Sequence, residues 1–155
     1  MKEAASIYVY RRRLPHIQRS DSTLFVSFHA AHIVLPPSAR DAVLRHCVYE
    51  EGKTVELHAA VVMPNHVHLL LTPLLDEGGY PYLLRKIMQR IKSVSAQGVN
   101  RILGCNGPVW QEESFDTMVR SDEDFRERLA YIELNPGRAG LVGPGQEYPW
   151  FWKRA

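Results

Sequence analysis

Two histidines separated by one residue, His66 and His68, stand in the segment Met63-Pro64-Asn65-His66-Val67-His68-Leu69-Leu70-Leu71. In an extended strand alternate side chains share a face, so both imidazoles and Leu70 point one way while Val67, Leu69 and Leu71 point the other. The leucine side is the core side. Along the strand the imidazoles lie about 6 to 7 Å apart, a span that one ion bridges when a third ligand arrives from elsewhere. Such an ion polarises a phosphate oxygen and stabilises charge in phosphoryl transfer. A bare His-x-His is more often an ordinary surface pair, but here a Pro-Asn turn precedes it and an apolar run follows. Gln97, Glu113 and His58, the last on the preceding strand, are candidate third ligands.

The elements that must position this pair follow from hydrophobic period and punctuation. Leu24 to Phe28 reads as a first strand, and Pro36-Pro37 leads into a helix over Ser38 to Tyr49. Val55 to Met63 is a second strand. Pro64 cannot donate to a ladder and presets a turn, so the chain reverses and returns over His66 to Thr72. Tyr80 to Asn100 has no internal proline and places Leu84, Ile87, Ile91 and Val94 at intervals of three and four, which predicts a long amphipathic helix. Val109 to Met118 is a fourth strand. Ser121 opens a helix that buries Phe125, Leu129 and Ile132 and stops at Asn135-Pro136-Gly137. This order predicts an α+β domain with a ferredoxin-like or RRM-like antiparallel sheet of about four strands, helices on one face and the other face left for a ligand. The cluster Tyr148-Pro149-Trp150-Phe151-Trp152 reads as a hydrophobic clasp closing the domain.

The chain has 155 residues, 45% of them apolar, enough for one core, so a single domain over residues 1–155 is expected, with a basic arm at about 1–20. Cys47 and Cys105 are far apart and form no CxxC pair, which argues against a disulfide framework or a thiolate zinc site and suits a reducing cytoplasm. No stretch approaches the roughly 18 apolar residues of a membrane span. The net charge of +2 decides nothing, so the placement of charge must. Arg11, Arg12 and Arg13 follow Tyr8 and Tyr10, and rings interleaved with guanidinium groups suit single-stranded DNA, where rings stack on bases and cations meet phosphates. Arg85, Lys86, Arg90 and Lys92 would track a DNA backbone if their helix turned its polar side to the sheet cleft. A solvated helix face has the same pattern.

The histidine segment resembles the HUH single-tyrosine transposases, in particular the REP-associated tyrosine transposase group, whose hallmark is a Met-Pro-Asn-His-Val-His strand. Arg12-Arg13-Leu14-Pro15, Gly107-Pro108-Val109-Trp110-Gln111, Tyr131-Ile132-Glu133-Leu134-Asn135-Pro136 and Arg138-Ala139-Gly140-Leu141-Val142 resemble further segments of the group in the same order. The resemblance implies magnesium or manganese held by His66, His68 and a third polar side chain, with single-stranded or hairpin DNA as substrate. It also implies a tyrosine on the long helix that attacks the scissile phosphate. The resulting 5′-phosphotyrosine is later resolved by a DNA 3′-hydroxyl, and no nucleotide cofactor is consumed. Relatives often act as dimers, so a homodimer is possible.

In that register the nucleophile position falls at Val94 or Ser95, and the polar ligand one turn later at Gly98 or Val99, none of which serves. The expectation is therefore a DNA-binding protein of the HUH transposase family, acting in DNA transposition with weakened or lost cleavage. Ser95 could attack only with an activating base, and Tyr131 is the other candidate nucleophile, with packing as its simpler role. An active strand-transferase using a tyrosine elsewhere is the rival reading, and a small metal-dependent hydrolase built on the histidine pair is a remote one.

Overall fold

The computed structural model describes residues 7–10, 16–19 and 22–155. Two short strands, β1 (Ile7–Tyr10) and β2 (His16–Arg19), pair antiparallel as a separate ribbon. Neither was expected from the sequence, and Arg11 to Arg13 lie outside the described residues. The main sheet follows from β3 (Leu24–Ala30), β4 (Val55–Val62), β5 (His66–Pro73), β6 (Trp110–Met118) and β7 (Phe151–Lys153). Its order is β6-β3-β5-β4-β7, with every neighbouring pair antiparallel. The helices are α1 (Pro37–Tyr49), α2 (Leu84–Leu103) and α3 (Asp122–Arg138).

The expected α+β, ferredoxin-like arrangement is present: strand, helix, two strands, helix and strand run from β3 to β6 in that order. A fifth strand is added by the C-terminal clasp. β7 pairs with β4, Tyr148 donates to Val62 O at 2.7 Å, and the Trp150 indole donates to Asp41 at 2.7 Å. The four aromatic residues of this five-residue stretch pack to both sides: Trp150 and Trp152 join one core cluster, Tyr148 and Phe151 the other.

The sheet has two covered faces where one was expected. Val67, Leu69 and Leu71 of β5, with Leu24, Val26 and Phe28 of β3, pack under α1 and α2. The opposite face carries Phe25, Ala59, Val61 and Leu70, and there α3 brings Ile132, Phe125 and Leu129. Residues on alternate sides of β3 and β5 are thus buried by different helices. α3 can cover the second face because Phe125, Leu129 and Ile132 recur along one stripe, with most of its charged residues outside that stripe. Ser121 caps it by accepting from the Asp124 amide, and three acidic residues fill its first turn. The helix does not stop at Asn135: it runs through Pro136 to Arg138, and Gly140 then takes the left-handed conformation, φ 73°, that terminates it.

The buried stripe of α2 is Leu84, Ile87, Met88, Ile91, Ser95 and Val99. Val94, expected in that stripe, is 43% exposed, and Ser95 is fully buried in its place. Tyr80 lies before the helix, in a loop closed by Asp76, whose carboxylate accepts from the Gly78 and Tyr80 amides. A Cβ on Gly98 would sit 3.4 Å from His46 Nε2, so the missing side chain lets α2 approach α1 closely.

Candidate active site

His66 and His68 leave β5 on the face that α3 partly covers, and their rings meet edge to face with centroids 4.8 Å apart. This is closer than the extended-strand spacing predicts. Each ring has one nitrogen engaged. His66 Nδ1 lies 2.6 Å from Asn65 Oδ1, an acceptor, so Nδ1 carries the hydrogen and Nε2 the lone pair. His68 Nδ1 lies 2.7 Å from Ser27 Oγ. When that Nδ1–H donates to the hydroxyl, Nε2 again holds the lone pair. His68 Nε2 is buried and has no hydrogen-bond partner.

The rings are set to stay neutral. Burial, followed by the neighbouring His66 and His29, lowers the His68 pKa from 6.5 to about 3. His66 is lowered by burial and then by His29. Neutral imidazoles with free, buried or half-buried Nε2 atoms are the form that ligates a metal, so the pair fits a divalent ion. Among the described residues no three His, Cys, Asp or Glu side chains form a cluster that could hold an ion, so a third protein ligand has to be of another type.

The expected third ligands are not placed for this role. His58 Nε2 is engaged with Thr72 Oγ1 at 2.8 Å, and its ring packs on Phe125. Thr72 is four residues along β5 from His68, about 13 Å. Gln97 is on α2, on the far side of the sheet. Glu113 faces a cavity shared with α2.

Of the two candidate nucleophiles, Ser95 is enclosed. It is 0% exposed, donates to Lys92 O, and accepts from the Trp110 indole at 2.9 Å. It packs in the core cluster side of the sheet, under α2, away from both histidines. Tyr131 lies on α3, and its ring meets His68 edge to face at 5.4 Å and Phe25 at 5.8 Å. It is 41% exposed. Its neighbours on that helix face, at intervals of three and four, are Glu127, Arg128 and Asn135. A cavity of about 470 Å³ opens there, lined by Phe25, Ser27, His68, Asp124, Glu127, Arg128 and Tyr131. Arg128 pairs with Asp124 at 3.4 Å and lies over the Phe25 ring.

The basic residues expected to follow a DNA backbone do not line this cavity. Arg85, Lys86, Arg90 and Lys92 belong to α2, on the other layer, so the helix does not turn its polar side toward the histidine face. Arg90 pairs with the buried Glu50 at 3.2 Å. Lys92 Nζ donates to Gln111 O, Glu112 O and Ser114 Oγ, fastening α2 to β6. Arg85 lies at the rim of a cavity between these two elements, and Lys86 lines one beside Tyr80 and Tyr82.

Sequence reasoning passed over His29, Ser27, Arg128 and Asn135. His29 pairs with His66 in register, and the two rings stack at 5.3 Å. The signal for His29 and Ser27 was the alternation Phe25, Ser27, His29 on one face of the first strand. For Arg128 and Asn135 it was their spacing of three before and four after Tyr131.

No family model matches the chain. Over 110 residues it is 27% identical to the REP-associated tyrosine transposase of Escherichia coli K12, a match covering 70% of this chain and 61% of that protein. A Haemophilus influenzae protein named for the same group is 26% identical over 116 residues, covering 72% of this chain and 64% of the relative. The chain thus matches less than two thirds of the length of either curated relative. Among solved structures, a REP-associated tyrosine transposase bound to a REP hairpin superposes with a TM-score of 0.68 at 22% identity, covering 97% of this chain and 82% of that one. That likeness carries the fold. Among the described residues no helix is long and apolar enough to cross a membrane.

Proposed function

With the chain a relative of the REP-associated tyrosine transposases, we propose that it cleaves and rejoins single-stranded DNA beside a hairpin, using Tyr131 as nucleophile. The observation that carries this reading is the contact between the Tyr131 ring and the ring of His68. A tyrosine and the paired histidines of one chain meet on one face of the sheet, so a single copy supplies both parts of the site. The expectation of lost cleavage rested on finding the nucleophile on α2. With the tyrosine on α3, the polar residue one turn later is Asn135, whose amide would be the third ligand beside His66 Nε2 and His68 Nε2.

Magnesium or manganese held by those three residues would supply Lewis-acid polarisation of a phosphate oxygen. The chain's own residues do the rest. Asn65 Oδ1 holds His66 in the tautomer that keeps Nε2 unprotonated, and the Ser27 hydroxyl does the same for His68 when it accepts from Nδ1–H. Phe25 and His68, stacked on each other, both meet the Tyr131 ring edge to face. Arg128, at the cavity wall, offers its guanidinium to the phosphate beside the tyrosine. In the reaction the Tyr131 oxygen forms a bond to phosphorus, the bond from phosphorus to the DNA 3′-oxygen breaks, the phenol proton passes to solvent, and the leaving 3′-oxygen takes up a proton from solvent. A 5′-phosphotyrosine and a free 3′-hydroxyl result. Attack by a DNA 3′-hydroxyl then reverses the exchange, with the tyrosine as leaving group.

The test is incubation with end-labelled, hairpin-bearing single-stranded DNA and manganese, followed by denaturing electrophoresis and mass spectrometry. A covalent adduct mapped to Tyr131, absent in Tyr131→Phe, supports the reading. DNA that is bound with neither adduct nor cut product would return the protein to a binding role.

A further inference from the structure

Phe115 lies on β6, the strand at one edge of the main sheet, and is 53% exposed. It is on the same face as the histidines. Ser27 of β3 pairs with His68 on one side and with Phe115 on the other, so the three residues stand in one row across the sheet. Two strand spacings separate β5 from β6, about 10 Å. The ring of Phe115 meets His29 edge to face at 6.2 Å, and His29 stacks on His66. A row of rings therefore runs from Phe115 through His29 and His66 to His68, with Tyr131 at its far end.

Elsewhere in the sheet Phe28 and Trp110 pack against each other within the core at 4.7 Å. Phe115 instead offers a bare ring face beside the site. The neighbouring strand β3 contributes the His29 ring to it, and β6 is an outer strand of the sheet. An open ring near a phosphate site, at about the reach of one nucleotide, suits a nucleobase, whose stacking on an aromatic side chain is strong and tolerant of sequence.

We propose that Phe115 is a positioning residue that stacks the base next to the scissile phosphate and so holds the DNA across the histidine row. The inference rests on the DNA-cleaving reading above, and it adds where the flanking base goes.

The experiment places 2-aminopurine at the nucleotide flanking the cut site of a hairpin-bearing single-stranded DNA. Binding is followed with Tyr131→Phe protein, so that the DNA stays whole. Stacking predicts quenched fluorescence on binding, lost when Phe115→Ala is added and retained with Phe115→Trp. Phe115→Leu, which keeps apolar bulk without a ring, should behave as the alanine variant. In the Tyr131 background, Phe115→Ala should raise KM about tenfold with kcat little changed, and the tryptophan variant should restore KM. Quenching that survives in the alanine variant, or is restored by leucine, overturns the stacking role. Failure of the wild-type protein to form an adduct at Tyr131 overturns the cleavage reading separately, because the fluorescence arm does not depend on cutting.

Discussion

The two faces of β5 do different work with residues that alternate along one strand. On one side Val67, Leu69 and Leu71 are completely buried under α1 and α2. On the other, His66 and His68 lie beside a cavity that α3 only partly covers, and a buried ring nitrogen is left without a partner. Full burial of a leucine stabilises by about 1.5–3 kcal/mol, whereas an orphaned buried nitrogen costs about 1–3 kcal/mol. The closed face holds the fold together, and the open face spends some of that stability on poised chemistry. The same contrast separates the two candidate nucleophiles, Ser95 within the closed layer and Tyr131 at the edge of the open one.

The largest effect should come from exchanging damage between these two. Tyr131→Phe is expected to remove the covalent DNA adduct, a loss of about a thousandfold or more, with the melting temperature little changed. Ser95→Ala should leave adduct formation intact while lowering stability by about 1–3 kcal/mol, because the Trp110 indole loses its buried acceptor. Denaturant unfolding and the gel assay on the same preparations check both. An adduct that persists in Tyr131→Phe and disappears in Ser95→Ala would move the chemistry back to α2.

A second contrast lies within β5. Replacing His66 and His68 together by alanine should abolish manganese uptake in equilibrium dialysis while the fold survives. Leu69→Ala should cost about 2–5 kcal/mol through the cavity it leaves, with uptake retained in whatever protein remains folded. Metal uptake undiminished in the double histidine variant would remove these side chains from the site.

Much of the fold was legible because period and punctuation agree. The Pro64-Asn65 reversal, the alternation along β5 and the Ser121 cap each fix an element locally. What stayed hidden depends on which face a helix covers, a tertiary choice. Leu84, Ile87 and Ile91 establish that α2 is amphipathic, but its rotation, which buries Ser95 and turns Val94 outward, is set by tertiary packing. Nor does the stripe of α3 state that it lies on the histidine face. The sequence alone therefore gives no ground for preferring α3 to α2 as the helix that brings a side chain to the histidines. The segment containing Tyr131 and Asn135 had been recognised, but its contact with His68 is made only in three dimensions. The β1–β2 ribbon and β7 are too short for periodicity to mark.

A smaller effect should follow pH. The folded His68 pKa, held at about 3 by burial and then by its histidine neighbours, lies below the 6.5 of an ordinary histidine. Between these values the unfolded chain binds a proton that the folded chain refuses, so stability rises with pH through that window and is full above it. His66, His58 and His46 are lowered in the same sense, each chiefly by burial. Metal-stripped protein should thus melt several degrees lower at pH 5 than at pH 7, and His68→Ala should flatten that slope. An unchanged slope would mean that the open face does not hold its histidine neutral at a cost.

The smallest effect concerns cations on the two layers. Arg128 lines the cavity by Tyr131, while Arg85 and Lys86, expected from the sequence to contact DNA, sit on α2 across the sheet. Each phosphate contact to a single strand contributes about 0.7 to the slope of log affinity against log salt. If DNA lies only over the histidine face, Arg128→Ala should reduce that slope by about 0.7 and Arg85→Ala with Lys86→Ala should leave it unchanged. A fall of about 1.4 in the double variant would mean that the DNA wraps from the open face around β6 onto α2. Because salt slope counts charges and not chemistry, the two outcomes can be told apart even in Tyr131→Phe protein.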